Sequence, residues 1–260
     1  MNIFVFVKRV PDTESRIRIQ ADGKAVATEG LSFVLSPYDE YAVEAALRLK
    51  EAKGGKVTAF TVGPDESLPI LRKCLAMGVD EAVLIKDTAG ETYDGLRTAR
   101  IITAALQKKY PGFDLLLFGK QAIGTDNSQV PSMVAGLLGL PQVNVVVKLE
   151  IEGASGTACR EIEGGQEKVS FPLPAVISAQ KGLNDPRYET LKGIMAAKKK
   201  EIPVVAPEAL GLAPRDLEPG IEIARIDLPP VKQAGKVVST EPADAARQLV
   251  EFLRRDAKVI

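Results

Sequence analysis

Short apolar runs rich in β-branched and aromatic residues alternate with longer stretches of helical periodicity through the first half of the chain. Residues 3–7, 82–85 and 115–118 are continuously apolar, and 57–62 is apolar and β-branched apart from the hydroxyls of Thr58 and Thr61. Strands of that kind are covered on both faces, the pattern of a parallel sheet flanked by helices. Each run leads through a polar loop into a predicted helix. The first helix opens at Ser36-Pro37-Tyr38-Asp39, with Ser36 as N-cap, Pro37 at the first helical position and Asp39 at the capping-box position. It turns Tyr38, Ala42, Ala45 and Leu49 inward and stops at Gly54-Gly55. The second helix is predicted over 67–77. The third, over 94–109, sets Leu96, Ala99, Ile102 and Leu106 at core spacing. The fourth follows the loop after Phe118 and ends at Leu138, before Gly139. Segments 16–20 and 25–28, around Asp22-Gly23, predict a small hairpin.

Beyond Leu140 the pattern becomes β-rich, at 143–151, 157–163, 168–171 and 175–179, and such close spacing predicts antiparallel pairing. Residues 201–238 hold six prolines in 38 positions with no period, which reads as an extended arm without a core element. A last helix, 242–255, carries an apolar stripe of Ala246, Leu249, Val250 and Leu253 that must be covered, by its own domain or by another chain. The pattern therefore divides into an α/β domain over 1–200 and an arm with its helix over 201–260.

Composition narrows the functional classes. A chain of 260 residues with 45% hydrophobic content builds a sizeable core. Lys plus Arg (34) balance Asp plus Glu (34), so no overall field draws it to nucleic acid or an anionic membrane. With no histidine, His general bases, Ser-His-Asp triads and His-ligated metal sites are all excluded. Cys74 and Cys159 form no CxxC and no disulfide framework, which fits a reducing, cytoplasmic compartment. The apolar runs fall far short of the roughly 18 residues of a membrane span, and the N-terminal run is too short for a signal peptide.

In an open parallel sheet, ligands bind beyond the carboxyl ends of the strands where strand order reverses. A Rossmann-like order makes the first and fourth strands neighbours there. The loop after the fourth reads Gly119, Lys120, Gln121, Ala122, Ile123, Gly124, Thr125, Asp126, Asn127, Ser128, Gln129, Val130. Two glycines, short polar side chains and a following helix N-terminus are the chemistry of a phosphate cradle; an ordinary long loop with a helix cap is the plainer reading. Neither GxGxxG after the first strand nor GxxxxGK[ST] is present. The charged hairpin around Arg160, Glu161, Glu163 and Glu167 has no nucleophile or metal partner and reads as solvated surface. Leu191, beside a glycine-containing break at Lys192-Gly193, is expected to project from the surface, and Lys198, Lys199 and Lys200 read either as solvated helix-end charges or as a basic docking edge.

Five ordered segments resemble the β subunit of electron transfer flavoproteins. They are the opening VFVKRVPD, the helix start at Ser36 to Asp39, the loop GKQAIGTDNSQV, the stretch ACREIEGGQEKVSFPLPAVIS, and Asn184-Asp185-Pro186-Arg187-Tyr188 on to Lys200. The third is similar to the family's adenine-nucleotide loop, the fourth to its signature, and the last to its partner-recognition loop. The resemblance implies a Rossmann-like α/β fold of the adenine-nucleotide-binding type: a parallel sheet with helices on both faces, an antiparallel β addition, and an extended C-terminal arm with a helix packing on the partner. It implies an electron carrier, not an enzyme, made with an α subunit that holds most of the redox-active FAD. Its electrons come from flavin-dependent dehydrogenases, such as acyl-CoA dehydrogenases, and pass to a quinone-linked oxidoreductase. In one branch this subunit buries AMP, which carries over to Phe6, Ser36, Pro37, Tyr38, Asp39, Val62 and Gly119 through Val130. In electron-bifurcating relatives the same pocket holds a second FAD. The loop GTDNSQVP shares Asp126 and Gln129 with both branches and Val130 with the bifurcating one, and departs from both at Gly124 and Pro131. AMP is the expected ligand and FAD the alternative. Leu191 with Lys198, Lys199 and Lys200 is expected to meet redox partners.

Overall fold

A computed structural model describes residues 1–87, 94–231, 234–235 and 237–260. Along the chain run β1 (Asn2–Phe6), β2 (Arg9–Pro11), β3 (Phe33–Leu35), α1 (Pro37–Lys53), β4 (Lys56–Gly63), α2 (Leu68–Met77), β5 (Glu81–Lys86), α3 (Gly95–Lys108), β6 (Leu115–Gly119) and α4 (Val130–Leu138). There follow β7 (Gln142–Glu152), β8 (Ser155–Ile162), β9 (Gly165–Pro172), β10 (Ala175–Ala179), α5 (Leu191–Lys199), β11 (Val204–Val205), the single turn α6 (Pro214–Leu217) and α7 (Pro242–Arg255).

Nine strands form one sheet in the order β11-β5-β4-β1-β6-β10-β7-β8-β9, while β2 and β3 pair separately as an antiparallel ribbon. From β11 to β7 every pairing is parallel; β8 and β9 are antiparallel additions. Order runs one way from β1 through β4 and the other way through β6, so β1 and β6 flank the reversal point as the pattern predicts. Successive residues of β1 serve opposite layers. Ile3 and Val5 pack with Leu47, Leu71 and Leu75 of α1 and α2; Phe4 and Phe6 pack with Ile102 and Leu106 of α3 and Val134 of α4. Each such side chain removed from water stabilises the fold by roughly 1.5–3 kcal/mol.

Four expectations are corrected. Residues 175–179 are not antiparallel: β10 enters the parallel sheet between β6 and β7 and is wholly buried. The long β7 pairs with β10 through its first half and carries the β8–β9 ribbon out with its second. Leu96 is exposed, and Arg97 takes the inward place because it meets Asp87, at the end of β5, with two guanidinium nitrogens. Ser36 sits at the N-cap of α1, but its hydroxyl makes no cap and Asp39 closes no capping box, because that carboxylate is turned to other partners. Finally, the proline-rich segment does enter the core: β11 adds an edge strand against β5, and Val205 and Leu210 are buried. The hairpin at 16–28 forms through a bridge between Ile19 and Val26. Beyond α6 the chain crosses that hairpin, where Ile226 N–H donates to Gly23 and Lys24 pairs with Glu222. Part of the expected arm, residues 232, 233 and 236, lies outside the described residues.

Candidate functional site

The carboxyl ends of β1, β4 and β6 bring three phenylalanines together beneath a cleft. Phe6 and Phe118 stack at 4.6 Å between centroids, and Phe6 and Phe60 at 5.3 Å. These rings are an apolar floor. One wall is the start of α3, and the other is the loop from β6 into α4.

Asp39 closes the base of the cleft. Oδ2 accepts from Lys8 N–H at 2.7 Å and Oδ1 from Gly119 N–H at 3.0 Å, so one side chain ties the ends of β1 and β6 to the start of α1. Burial raises its pKa to about 7, and the two backbone donors and the Lys8 ammonium only partly offset that. Gly119 is required by this contact: a Cβ there would stand 2.3 Å from Asp39 Oδ1 and 2.7 Å from the backbone of Tyr38. The missing side chain is what lets β6 pack this closely against the start of α1.

The loop wall is held in an uncommon backbone. Gly124, Asp126 and Ser128 have φ of 96°, 49° and 53°, and such left-handed residues turn successive N–H groups toward one concavity. Gln121 braces it, donating to Asp126 Oδ1 at 2.7 Å and accepting from Ser128 Oγ at 3.1 Å. The two helix N-termini at the cleft differ. Asp94 caps α3 by accepting from Leu96 and Arg97 N–H, whereas Gln129 at the start of α4 makes no side-chain cap. Only α4 therefore presents an N-terminus without a carboxylate of its own. Thr61 also lines the cleft, and its buried hydroxyl has no partner among the described residues.

Of the sequence-predicted nucleotide residues, Phe6, Asp39, Val62, Gly119, Lys120, Gln121, Ala122, Thr125, Asn127, Ser128, Gln129 and Val130 line this cleft. Ile123 and Gly124 line an adjoining cavity, which shares Lys8, Val62 and Thr125 with the first and reaches Phe33 and the hairpin residues Ile17 and Val26. Ser36, Pro37, Tyr38 and Asp126 line neither. Phe60, Thr61, Asp94, Thr98 and Phe118 belong to the lining and went unread. Asp94 alone carried a local sign, as a good N-cap residue before a helical stretch.

Leu191 begins α5 and is 78% exposed; Met195, one turn on, and Tyr188, just before the helix, are also exposed. Gly193 is no break. It lies inside α5 where a Cβ would meet Ala76 O at 2.1 Å, so the helix rests on the backbone of α2 with Leu191 turned out. Thr190 caps it, accepting from Gly193 N–H. Lys198 and Lys199 are exposed, but Lys200 points inward and donates to the carbonyls of Val79 and Asp80 at 3.1 and 2.7 Å. It fastens α5 rather than adding exposed charge. Cys74 is buried, and burial pushes its thiol well above the ordinary range, which leaves it inert. Among the described residues no group of three His, Cys, Asp or Glu could hold a metal ion, and no helix is long and apolar enough to cross a membrane.

Fold and cleft together define a doubly wound α/β protein with a donor-rich, aromatic-floored pocket at its reversal point. Residues 24–210 match the family model of the electron transfer flavoprotein domain. The chain is 43% identical over 262 residues to electron transfer flavoprotein subunit beta of Bacillus subtilis, across the whole of both. It is 39% identical over 261 residues to the same subunit of Syntrophomonas wolfei, covering 100% of this chain and 98% of that one. The Homo sapiens subunit is 39% identical over 258 residues, covering 98% of each. The chain belongs to the electron transfer flavoprotein family as a β subunit, an electron-transfer protein rather than an enzyme.

Proposed function

We propose that this chain is half of a heterodimeric electron carrier: an α subunit holds the redox-active FAD, and the cleft at the reversal point of this subunit binds AMP as a structural nucleotide. The observation that carries the reading is the convergence on one cleft of an uncapped α4 N-terminus, a left-handed loop and a stacked aromatic floor. The first two supply backbone donors for a phosphate; the third is an apolar surface for a base. Thr61 adds a buried hydroxyl that lacks a partner among the described residues, a demand that a bound polar group meets. Residues 119–130 would hold the phosphate end, with Phe6 and Val62 toward the base. In this reading the nucleotide is a strut that joins the ends of β1, β4 and β6 to α3 and α4, and it carries no electron.

The adjoining cavity favours a second reading, in which a second FAD occupies the cleft and extends beneath the β2–β3 ribbon. Stoichiometry separates the two. The purified heterodimer is denatured, its nucleotides are separated by chromatography and its flavin is measured by absorbance. One FAD and one AMP are expected; two FAD and no AMP would replace the first reading by the second.

The exposed group of Tyr188, Leu191 and Met195, with Lys198 and Lys199 beside it, is the proposed contact for redox partners, flavin-dependent dehydrogenases such as acyl-CoA dehydrogenases on one side and a quinone-linked oxidoreductase on the other. A short-lived transfer complex suits a small interface with one apolar anchor and charges that speed encounter. The buried, unpaired Cys74 suits a reducing compartment such as the cytoplasm.

A further inference from the structure

The loop that presents Leu191 is mounted on one stripe of α1. Asn184 Nδ2 donates to Tyr41 O at 2.9 Å, Arg48 Nη2 donates to Asp185 O at 3.2 Å, and Arg187 reaches both Glu44 and Glu51. Tyr41, Glu44, Arg48 and Glu51 follow one another at spacings of three and four, so they share a single helix face. Arg187 is the centre of the mount. Its Nε and backbone N–H meet Glu44 Oε2 at 2.8 and 3.2 Å, Nη2 meets Glu44 Oε1 at 3.2 Å, and the two terminal nitrogens grip Glu51 at 2.5 and 3.0 Å. The planar guanidinium fork suits such double bidentate pairing, which a lysine cannot reproduce.

The position of this triad decides what it can do. Glu44 is buried, with Arg48 Nε as its second partner at 2.7 Å, while Arg187 and Glu51 lie at the surface, away from both apolar layers. Immediately after Arg187 comes Tyr188, 94% exposed, and then the cap and first turn of α5 with Leu191. The far end of α5 is fixed independently: Arg72 donates to the carbonyls of Ala197 and Lys200. A segment tied at both ends by buried or multidentate bonds, yet carrying its largest apolar side chains outward, is organised for something outside the chain.

We infer that the Glu44–Arg187–Glu51 triad is a positioning device for docking: it holds residues 184–190 in one arrangement before any partner arrives, so that Tyr188 and Leu191 engage without an ordering step. This rests on the proposed redox-partner contact at Leu191 and adds the residues that set its affinity. An interface of a transient carrier, below about 1,200 Å², has little surplus free energy with which to order a loop on binding, and pre-ordering removes that cost. Arg187, Glu44 and Glu51 touch no partner in this scheme and act through the residues they place.

The test uses the full heterodimer as electron acceptor from an acyl-CoA dehydrogenase reduced by its acyl-CoA, with kcat and KM read from the dependence on heterodimer concentration. Arg187→Gln is expected to raise KM about tenfold and Glu51→Gln about threefold, in line with the loss of a multidentate and of an exposed pairing. The limiting rate and the flavin content should hold, and amide exchange across 184–191 should quicken in the free heterodimer. Glu51→Gln removes only the exposed arm and keeps the test alive if Arg187→Gln folds poorly. Leu191→Ala is the reference. If it raises KM while both triad variants leave KM unmoved, docking stands and the positioning role is overturned. If Leu191→Ala leaves KM unmoved, the proposed contact itself fails and the inference falls with it.

Discussion

Burial and backbone hydrogen bonding pull the Asp39 carboxyl in opposite directions, and burial prevails, setting its pKa near 7 against an ordinary 3.8. A group whose folded pKa is raised binds a proton more readily folded than unfolded, so its contribution to stability is largest below about pH 4 and is lost as pH rises to about 7. At about 1.4 kcal/mol per pKa unit, the loss is on the order of 4 kcal/mol. Asp39→Asn removes this titration and sets an amide N–H against one of the two backbone donors. Its deficit relative to the parent chain should therefore be large at pH 4 and shrink steadily to pH 7. Urea unfolding of both proteins across that range measures the difference, in which the other titrating groups cancel, and a deficit independent of pH would show that Asp39 is ionised throughout. At the neighbouring Gly119, packing again governs what a substitution reports. A bulky side chain there strikes Asp39 and Tyr38 first, so a lost nucleotide would signal a broken α1 contact rather than a lost ligand contact.

At the scale of elements, punctuation residues made much of the fold legible. Prolines at the starts of α1, α2 and α7, and glycines after α1, α2 and α4, place those ends within a residue or two of their positions. Continuous apolar runs likewise announced the parallel strands. What stayed hidden depends on partners distant in sequence. β10 has the composition of a buried parallel strand, but its place between β6 and β7 is settled only when the β8–β9 ribbon leaves the sheet. The cleft was half legible for the same reason: the loop of residues 119–130 has its own chemistry, while Phe60, Thr61 and Asp94 join it only through strand order. Arg97 is the sharpest case, a charge at a core position that is intelligible only with Asp87 in view. Both are buried, and Arg97 Nε also holds the carbonyl of Leu217 while Asp94 accepts from Gly220 N–H, fastening the root of the arm to α3. Arg97→Met should cost about 3–5 kcal/mol by removing the guanidinium that meets the buried Asp87 carboxylate with two nitrogens. Adding Asp87→Leu should recover most of that loss in thermal or urea unfolding. A double variant no better than the single one would mean that packing, not charge, governs the site.

For the molecule as a whole, the folded body ends near α6, and the chain changes character beyond that turn. No residue of α7 is buried, although Leu249, Val250 and Phe252 all lie on it and are exposed. Apolar side chains gathered on one helix with charged residues opposite need a surface to cover them. The arm that leads there departs from a firm anchor at Asp94 and Arg97 and is steadied again at the 16–28 hairpin, and α7 follows with its apolar side chains exposed. With an α subunit as the proposed occupant, the helix becomes part of an interface that commonly exceeds about 2,000 Å² in obligate pairs. Leu249→Glu with Phe252→Glu places two charges where the partner expects apolar surface, and burying an unpaired charge is far more costly than losing a leucine contact. Co-expression with the α subunit should then fail to yield a heterodimer on affinity purification and size exclusion. The variant chain alone should melt within about 2 °C of the parent, since exposed substitutions of this kind change stability by only about 0.5 kcal/mol. If instead the isolated chain melts much lower and pairing survives, α7 folds back on its own domain in solution, and the arm is a strap for this subunit rather than a reach toward another.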